Sequence, residues 1–275
     1  MDNITIQELE KHAKEIRRLT IRAFGSLGEG HVGGALSIVE ILTILYYRYM
    51  RIDPQDPKKE NRDRLVLSKG HAGPALYATL ALRGYFPVDW METLNRGGTR
   101  LPSHCDMNLT PGIDMTTGSL GQGISAAIGL ALGNRLNGIE RTVYLIIGDG
   151  ESDEGQIWEG AMAAAHYSLS NLIAFTDFNK MQIGGYTDEI MSLGDLDAKW
   201  KAFGWFTQHV NGHSFEELAQ AIEAAQEERE RPSMIILDTI KGKGASYAEG
   251  DVTNHYMPVS QKQTKEALEK LELSN

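Results

Sequence analysis

The sequence predicts an α/β fold, in which a parallel sheet carries helices on both faces. Short apolar runs typical of buried strands alternate along the chain with longer segments of helical periodicity. One apolar run ends in the sequence GDG at residues 148–150, as strands do at the ligand-binding edge of such a sheet. Because the 275 residues contain no repeat or linker-like segment, we predict one domain, residues 1–275.

The first half of the chain is predicted to be mainly helical. A helix begins at a capping box, residues 5–8, and keeps helical spacing until Gly25. Residues 97–123 are rich in Gly and Pro and are predicted to be irregular, and an irregular segment of that length suggests function. Between these segments we predict a helix from residue 37 to about residue 51, a strand at 64–68 and a helix at 74–83.

The second half of the chain alternates strands with helices. The predicted strands span residues 143–147, 171–177, 205–210 and 234–238. The predicted helices span residues 125–135, 196–203, 214–230 and 261–273, and one rich in small residues begins after the GDG sequence. Strands separated by helices in this way form parallel sheets.

Composition excludes several classes of partner and location. The formal net charge is −10 and no basic stripe is present, which argues against nucleic acid. No apolar run approaches the roughly 20 residues that a bilayer span needs, and the first residues lack a cationic, apolar signal region. A single cysteine, Cys105, cannot form an internal disulfide. We therefore expect a cytoplasmic protein that contacts neither nucleic acid nor membrane.

Oxygen ligands follow two successive predicted strands. Asp149 lies between Gly148 and Gly150, and Asn179 follows the next strand. If these strands are parallel neighbours, both side chains lie at one edge of the sheet, together with a backbone carbonyl near Met181. Mg²⁺ prefers such oxygen donors together with ligand phosphates. The pattern predicts a magnesium diphosphate site, although GDG alone is equally typical of a simple strand-to-helix turn.

The helix that follows this motif can direct its positive amino end at a diphosphate. Glycines on both sides of Asp149 allow the backbone to approach a ligand closely. Acidic residues next to a phosphate site are unfavourable, and this conflict is reduced if Glu154 and Glu159 face away from it and bond to backbone or neighbouring residues.

Three histidines lie beside glycines in predicted loops, namely His31, His71 and His104. A single loop histidine is more often a surface residue than a catalyst. Three in such settings favour a role in relaying protons or in hydrogen bonding to sugar hydroxyls. The neighbouring Cys105 is not interpreted as a nucleophile, because no third group that could orient a thiol–imidazole pair is evident.

Together these motifs resemble the transketolase family of thiamine diphosphate enzymes. The sequence LSKGHA at residues 67–72 and TGSLGQG at residues 117–123 are similar to transketolase in particular, and the resemblance covers residues 12–255. It implies the diphosphate-binding α/β domain of that family. It also implies transfer of a two-carbon ketol unit from a ketose phosphate to an aldose phosphate, in the pentose phosphate pathway.

The resemblance also implies roles for individual residues. His31, His71 and His104 line the substrate channel, and His255 reaches both cofactor and substrate. Mg²⁺, or Ca²⁺ or Mn²⁺ in its place, is held by Asp149, Asn179 and the carbonyl of Met181. The remaining implied contacts of thiamine diphosphate are Lys69, His71, Gly118, Ser119, Leu120, Gly148, Gly150, Glu154 and Lys241.

Two departures from the family pattern shape the prediction. Family members often carry Gly or Trp before the last histidine and Gly after it, whereas Asn254 and Tyr256 flank His255. Only a predicted helix follows residue 260, so we expect the pyrimidine-binding domain, with its activating glutamate, to be absent from this chain. The chain thus resembles the amino-terminal subunit of a split transketolase. We expect a heterotetramer formed with a carboxyl-terminal partner subunit, and we expect an apolar or small-residue surface near residues 118–130.

Three alternatives share some of these features. A subunit of another thiamine diphosphate enzyme, such as a deoxyxylulose phosphate synthase, shares the metal motif, but LSKGHA and His104 favour transketolase. A non-catalytic binding subunit is disfavoured by the intact set of metal ligands and histidines. A Mg²⁺ phosphohydrolase lacks a second acidic motif or a nucleophile here.

Overall fold

A five-stranded parallel sheet forms the centre of the protein in a computed structural model that describes residues 4–273. Its strands are β2 (Arg64–Leu67), β3 (Val143–Gly148), β4 (Leu172–Phe178), β7 (Phe206–Asn211) and β8 (Ser233–Asp238). They lie in the order β2-β3-β4-β8-β7, and every neighbouring pair is parallel. The predicted α/β class and its parallel sheet are confirmed.

Helices cover both faces of this sheet. The α-helices are α1 (Ile6–Leu27), α2 (Val32–Leu36), α3 (Val39–Ile44), α4 (Gly73–Leu82), α5 (Gln122–Leu136), α6 (Gly155–His166), α7 (Thr187–Ile190), α8 (Leu196–Ala202), α9 (Phe215–Glu227) and α10 (Gln261–Leu273). Short 3₁₀ helices span Gly70–Ala72, Val88–Thr93 and Gly150–Asp153. None of the helices in residues 4–273 combines the length and apolar character needed to cross a bilayer.

Alternate residues of each central strand enter two separate hydrophobic cores. On β3, Tyr144 and Ile146 pack among residues of α1, α3, α4 and α9. Leu145 and Ile147 point to the opposite face and pack among residues of α5, α6 and α8. All six residues of β3 are buried, as expected of a strand in a sheet covered on both faces.

Helix boundaries differ from the prediction where local chemistry intervenes. The capping box of α1 is present, with Thr5 and Glu8 bonded reciprocally, but the helix continues past Gly25 to Leu27 and ends at Gly28, whose φ is +96°. The single helix predicted at 37–51 is instead α3 followed by a π-helix at Leu45–Tyr49. The Met50 amide bonds to the Leu45 carbonyl at 2.7 Å, five residues back, which widens this last turn.

Two short antiparallel pairs were not predicted, because two-residue strands carry no periodic signal. β5 (Met181–Gln182) pairs with β6 (Gly185–Tyr186) immediately after Asn179. β1 (Glu29–Gly30) pairs with β9 (Met257–Pro258), so a segment that follows the first helix lies beside one that precedes the last helix. The segment at 97–123 is irregular as predicted, apart from its last two residues, which begin α5.

Candidate active site

Asp149 lies at the carboxyl edge of the sheet, where the parallel register pairs Gly148 of β3 with Asp177 of β4. Its side chain is 2% exposed. The Gly150 amide donates to Oδ1 at 2.8 Å, and the Lys180 amide donates to Oδ2 at 2.5 Å. Burial and the neighbouring Asp177 carboxylate raise the pKa of Asp149 to about 7. The positive charge of Lys69 lowers the pKa of this carboxylate, but burial and Asp177 outweigh it.

Asn179 and Met181 bring two further oxygens to the same edge. The Asn179 amide nitrogen donates to Asp177 Oδ2 at 2.9 Å, and its Oδ1 accepts from the Met181 amide at 3.1 Å. The Met181 carbonyl accepts from Lys241 Nζ at 3.2 Å. One carboxylate, one amide oxygen and one backbone carbonyl are hard donors that fit Mg²⁺. In residues 4–273 no group of three or more His, Cys, Asp or Glu side chains is arranged for a metal ion.

Asp177 lies directly beneath these donors and organises them. It is fully buried and accepts hydrogen bonds from Lys69 at 2.6 Å, from Ser37 at 2.7 Å, from Asn179 and from Thr239. Burial alone would raise the pKa of Asp177, but the Lys69 ammonium outweighs it and lowers that pKa. Lys69 also donates to the Gly34 carbonyl at 2.8 Å. Its ammonium thus supports Asp177 in this structure, and a direct contact with the diphosphate stays a prediction.

Glu151 is a site residue that the sequence reasoning missed. It is buried and accepts from the Ser68 hydroxyl, from the Gly121 amide at 2.8 Å and from the Gly148 amide at 3.1 Å. The carboxylate thus ties the TGSLGQG segment to the end of β3. The signal was present in the sequence, because a carboxylate two residues after a strand-ending aspartate can reach free backbone amides.

Glu154 and the glycine-rich segment frame the opposite side of the site. Glu154 is exposed, as Glu159 is, and a Cβ placed on Gly121 would lie 2.9 Å from the Glu154 Cβ. A Cβ on Gly118 would lie 3.3 Å from the His104 ring. The segment with Gly118, Ser119 and Leu120 therefore lies between His104 and Glu154.

Four histidine side chains converge beside this edge. His31 is the centre of the group, with ring centroids 5.1 Å from His71, 5.5 Å from His104 and 5.3 Å from His255. His71 lies 5.1 Å from His255. The three predicted channel histidines and His255, which are far apart in sequence, thus form one cluster. The β1–β9 pair accounts for the approach of His255 to His31.

These imidazoles and the nearby lysine have lowered pKa values. Burial, with the neighbouring His104 and Lys241, lowers the pKa of His31 to about 4. Burial and Lys241 lower that of His255 to about 4, and burial lowers the pKa values of His71 and His104 as well. Burial also lowers the pKa of Lys241 to about 8, against the attraction of Asp149. The histidines are therefore neutral at neutral pH, and each can donate or accept a proton.

The residues flanking His255 have distinct structural positions. Asn254 is fully buried and donates to the carbonyls of Lys241 at 3.2 Å and Ala248 at 2.7 Å. Tyr256 is 48% exposed, and its ring meets the His31 ring edge-on at a centroid distance of 4.8 Å. Asn254 thus holds the segment that carries Lys241, while Tyr256 borders the mouth of the histidine cluster.

The fold and site together are those of an α/β domain with oxygen donors at the carboxyl edge of its sheet, the edge at which such folds bind ligands, beside a cluster of neutral histidines. The family model described as "Transketolase, thiamine diphosphate binding domain" matches residues 9–274. The chain therefore belongs to the transketolase family, in which it corresponds to the thiamine diphosphate-binding domain. The predicted family is confirmed, and so is thiamine diphosphate as the cofactor of this domain, whereas the divalent metal ion stays a prediction.

Named relatives of similar length are transketolase subunits. The chain is 58% identical over 265 residues to the 6-deoxy-6-sulfo-D-fructose transketolase subunit of Clostridium sp. (strain MSTE9), and the match covers 96% of each chain. It is 40% identical to an apulose-4-phosphate transketolase subunit of Actinobacillus succinogenes, with 98% of each chain covered. These relatives favour an enzyme subunit of the transketolase class over the deoxyxylulose phosphate synthase alternative.

Solved transketolases are longer than this chain. The transketolase of Campylobacter jejuni matches with a TM-score of 0.92 and 30% sequence identity. The match covers 98% of this chain and 43% of that one. The chain thus spans less than half the length of the solved transketolase it matches.

Proposed function

We propose that this chain is the cofactor-holding subunit of a two-chain transketolase, which transfers a two-carbon ketol unit between sugars. The observation that carries the proposal is the convergence of four neutral histidines beside the carboxylate, amide and carbonyl oxygens at the sheet edge. We assign the histidines to the binding of a sugar, and the oxygen donors to the binding of a metal diphosphate.

The metal and diphosphate are assigned to residues whose contacts suit them. We infer that Asp149, Asn179 and the Met181 carbonyl hold Mg²⁺, because a cation there compensates the buried carboxylate. Lys241 is 3% exposed, and the negative charge of Asp149 acts on its ammonium group. This ammonium can therefore balance the negative charge of a diphosphate. Gly150 and residues 118–120 offer backbone that a ligand can approach.

The chemistry divides between cofactor and protein. Thiamine diphosphate, when bound, supplies the carbanion chemistry needed to break and form the carbon–carbon bond next to a ketose carbonyl. The histidines orient the sugar through its hydroxyl groups and accept or donate protons at a hydroxyl and at the carbonyl oxygen. Their lowered pKa values keep them neutral, so the same ring can act as base in one half-reaction and acid in the other.

The sugar that we propose as donor is a ketose with a terminal anionic group. One relative is named for 6-deoxy-6-sulfo-D-fructose and another for apulose 4-phosphate. A sulfonate and a phosphate are both tetrahedral anions, and the acceptor is an aldose phosphate in either case. Because of the first name we propose the sulfosugar as donor alongside ketose phosphates. The names of these two relatives do not point to the pentose phosphate pathway that the resemblance implies.

The partner that we propose is a subunit that carries the pyrimidine-binding domain and its activating glutamate, in a cytoplasmic heterotetramer. The surface beside the site supports a partner. Ile183, Tyr186, Ile190 and Met191 follow the metal-site residues closely and are 45–72% exposed. On the outer side of α5, Cβ atoms built on Gly129 and Gly133 would meet no neighbour within 4 Å, which extends the predicted small-residue surface beyond residue 130. Exposed surfaces of this kind are typical of interfaces.

Reconstitution tests the proposal. The chain is purified with its native partner, the partner is identified by mass, and ketol transfer is assayed for each chain alone and for both together, with Mg²⁺ and thiamine diphosphate. Fructose 6-phosphate and 6-deoxy-6-sulfofructose are compared as donors. We expect activity only in the mixture. Robust transfer by this chain alone would refute the two-chain proposal.

A further inference from the structure

A second buried polar cluster lies outside the site. Arg17 of α1 and Glu40 of α3 are 6% and 5% exposed, and the side chain of His213, in the turn before α9, is 8% exposed. We call these three residues the Glu40 cluster. None of them is among the metal donors or the channel histidines.

The cluster is joined through the Glu40 carboxylate. Arg17 Nη2 donates to Glu40 Oε1 at 2.8 Å, and His213 Nδ1 lies 3.0 Å from Glu40 Oε2. Burial alone would raise the pKa of Glu40, but Arg17 and His213 outweigh it and hold the pKa at about 2. Glu40 is therefore a fixed anion that two side chains share.

Both partners of Glu40 also bind the backbone of one loop. The Ile240 amide donates to His213 Nε2 at 2.8 Å, and Arg17 Nε donates to the Lys243 carbonyl at 2.8 Å. An amide can only donate, so Nε2 carries no proton and the Nδ1–H group points at Glu40. One carboxylate thus anchors both ends of the segment at residues 240–243.

Lys241 lies inside this segment. Its ammonium donates to the Met181 carbonyl at 3.2 Å, and its own carbonyl accepts from Asn254 at 3.2 Å. The anchoring contact with Arg17 is close. Gly244 has a φ of +82°, and a Cβ there would lie 2.3 Å from Arg17 Cδ. The loop follows β8, so its path toward the site depends on where its two ends are fixed.

We propose that the Glu40 cluster is a positioning device for the diphosphate site. It fixes the backbone on both sides of Lys241, so that the ammonium stays beside the Met181 carbonyl and can meet a diphosphate. Buried ion clusters add little net stability, because desolvation offsets their attraction, so a geometric role is a reason to keep one. The inference rests on the proposed binding of a metal diphosphate by Lys241, and it adds residues that do not touch the ligand.

Two substitutions at His213 separate its two contacts. His213→Asn keeps a nitrogen near the Nδ1 position for Glu40 but removes the acceptor for Ile240. His213→Gln places an amide oxygen near the Nε2 position and can keep the Ile240 bond. We measure amide hydrogen exchange over residues 239–244 in the ligand-free full chain, and the Kd of Mg²⁺ with thiamine diphosphate in the reconstituted pair.

The expected result is a difference between the two variants. His213→Asn should speed exchange at residues 240–241 and weaken the diphosphate affinity about tenfold. A factor of about ten corresponds to the net contribution of one hydrogen bond. His213→Gln should restore both quantities toward wild type. Asp63→Asn is the matched control, since Asp63 is a buried carboxylate at the other edge of the sheet that pairs with Arg51 and accepts from backbone. It should lower stability and change neither quantity.

Three results would overturn the inference. In the first, His213→Asn matches wild type in both exchange and affinity. In the second, it loses only thermal stability, as Asp63→Asn does. In the third, exchange becomes faster but the affinity is unchanged. If His213→Asn does not fold, Glu40→Gln is judged by the same two measurements. Failure of the wild-type pair to bind the diphosphate would refute the proposed function, whereas wild-type binding with unaffected variants would refute only the positioning role.

Discussion

Both edges of the central sheet bury carboxylates, but the charged groups around those carboxylates differ. At the amino edge, the Asp114 side chain is 1% exposed and pairs with Arg62 and with Arg64, and it accepts from the Leu65 amide at 2.9 Å. At the carboxyl edge, Asp149 is equally buried and accepts from two backbone amides. No ion pair involving Asp149 occurs in the part of the chain that the structure describes, residues 4–273.

This difference is the one expected between a carboxylate that completes the fold and one that serves a ligand. A buried charge is tolerated when opposite charge compensates it, as at the amino edge. At the carboxyl edge the compensation is incomplete, and the pKa of Asp149 rises accordingly. A cation at this edge would stabilise the charged form of Asp149. Substitutions at each edge in turn test whether the two carboxylates differ in function.

Removal of the metal donors should have the largest effect. We expect Asp149→Ala and Asn179→Ala to abolish Mg²⁺-dependent binding of thiamine diphosphate in the reconstituted enzyme, because each substitution removes an oxygen ligand at a strand end. Calorimetric titration measures the affinity, and circular dichroism checks the fold. Unchanged affinity in both variants would place the metal elsewhere.

The histidine cluster should affect turnover and not cofactor affinity. Replacing His71, His104 or His31 by Ala should lower kcat or raise the KM for the ketose, because a proton-transfer residue contributes about 10²–10⁴-fold. Cofactor affinity is measured in parallel as the control. Near wild-type turnover in all three variants would contradict the proposed sugar channel.

Neutralising one carboxylate at each edge should shift stability in opposite directions. Asp114→Asn leaves Arg62 buried without its full counter-charge, so the free energy of unfolding should fall by about 3 kcal/mol. Asp149 has a folded pKa of about 7, above the usual 3.8, so its stabilising contribution is lost as the pH rises through about 7. Asp149→Asn should therefore raise the Tm of the ligand-free chain at pH 8. Thermal unfolding of both variants decides this, and a lowered Tm in both would remove the distinction between the edges.

Acid sensitivity of the histidine cluster should be the smallest effect. The pKa of His31 is lowered from 6.5 to about 4, so its contribution to stability is complete above pH 6.5 and is lost as the pH falls through about 4. Partial exposure screens this effect, and we expect a Tm change of about 2–4 °C. Between pH 7.5 and pH 5 the Tm of His31→Asn should fall by less than the Tm of wild type. His166→Asn, at the exposed end of α6, is the control. Equal losses in all three proteins would contradict the assignment.

Much of the fold and the metal edge could be predicted because both depend on local patterns. Buried strands appear in the sequence as apolar runs. Parallel strands necessarily bring their carboxyl ends to one edge, and in the structure β3 and β4 are parallel neighbours whose ends precede Asp149 and Asn179. The resemblance supplied the histidines. The cluster that they form could not be derived from periodicity, since it depends on β1 pairing with β9.

The remaining features depend on side-chain direction, which the sequence does not encode locally. Lys69 was expected near the diphosphate as a point charge, yet its ammonium bonds to Asp177 beneath the metal donors. Glu154 and Glu151 are three residues apart, and only the contacts show that Glu151 is buried while Glu154 is exposed. The Glu40 cluster joins helices and loops from distant parts of the chain, and no spacing predicts it.

The pairing of β1 with β9 also orders events during synthesis. His31 is made early, but its neighbour His255 is held by a short ladder whose second strand is Met257–Pro258, and the Val259 amide completes the join by bonding to the Gly28 carbonyl at 2.7 Å. Closing so long a loop is slow relative to forming local helices. The complete histidine cluster is thus assembled only after the segment around Met257 has been made, because His255 and this strand come late in the chain.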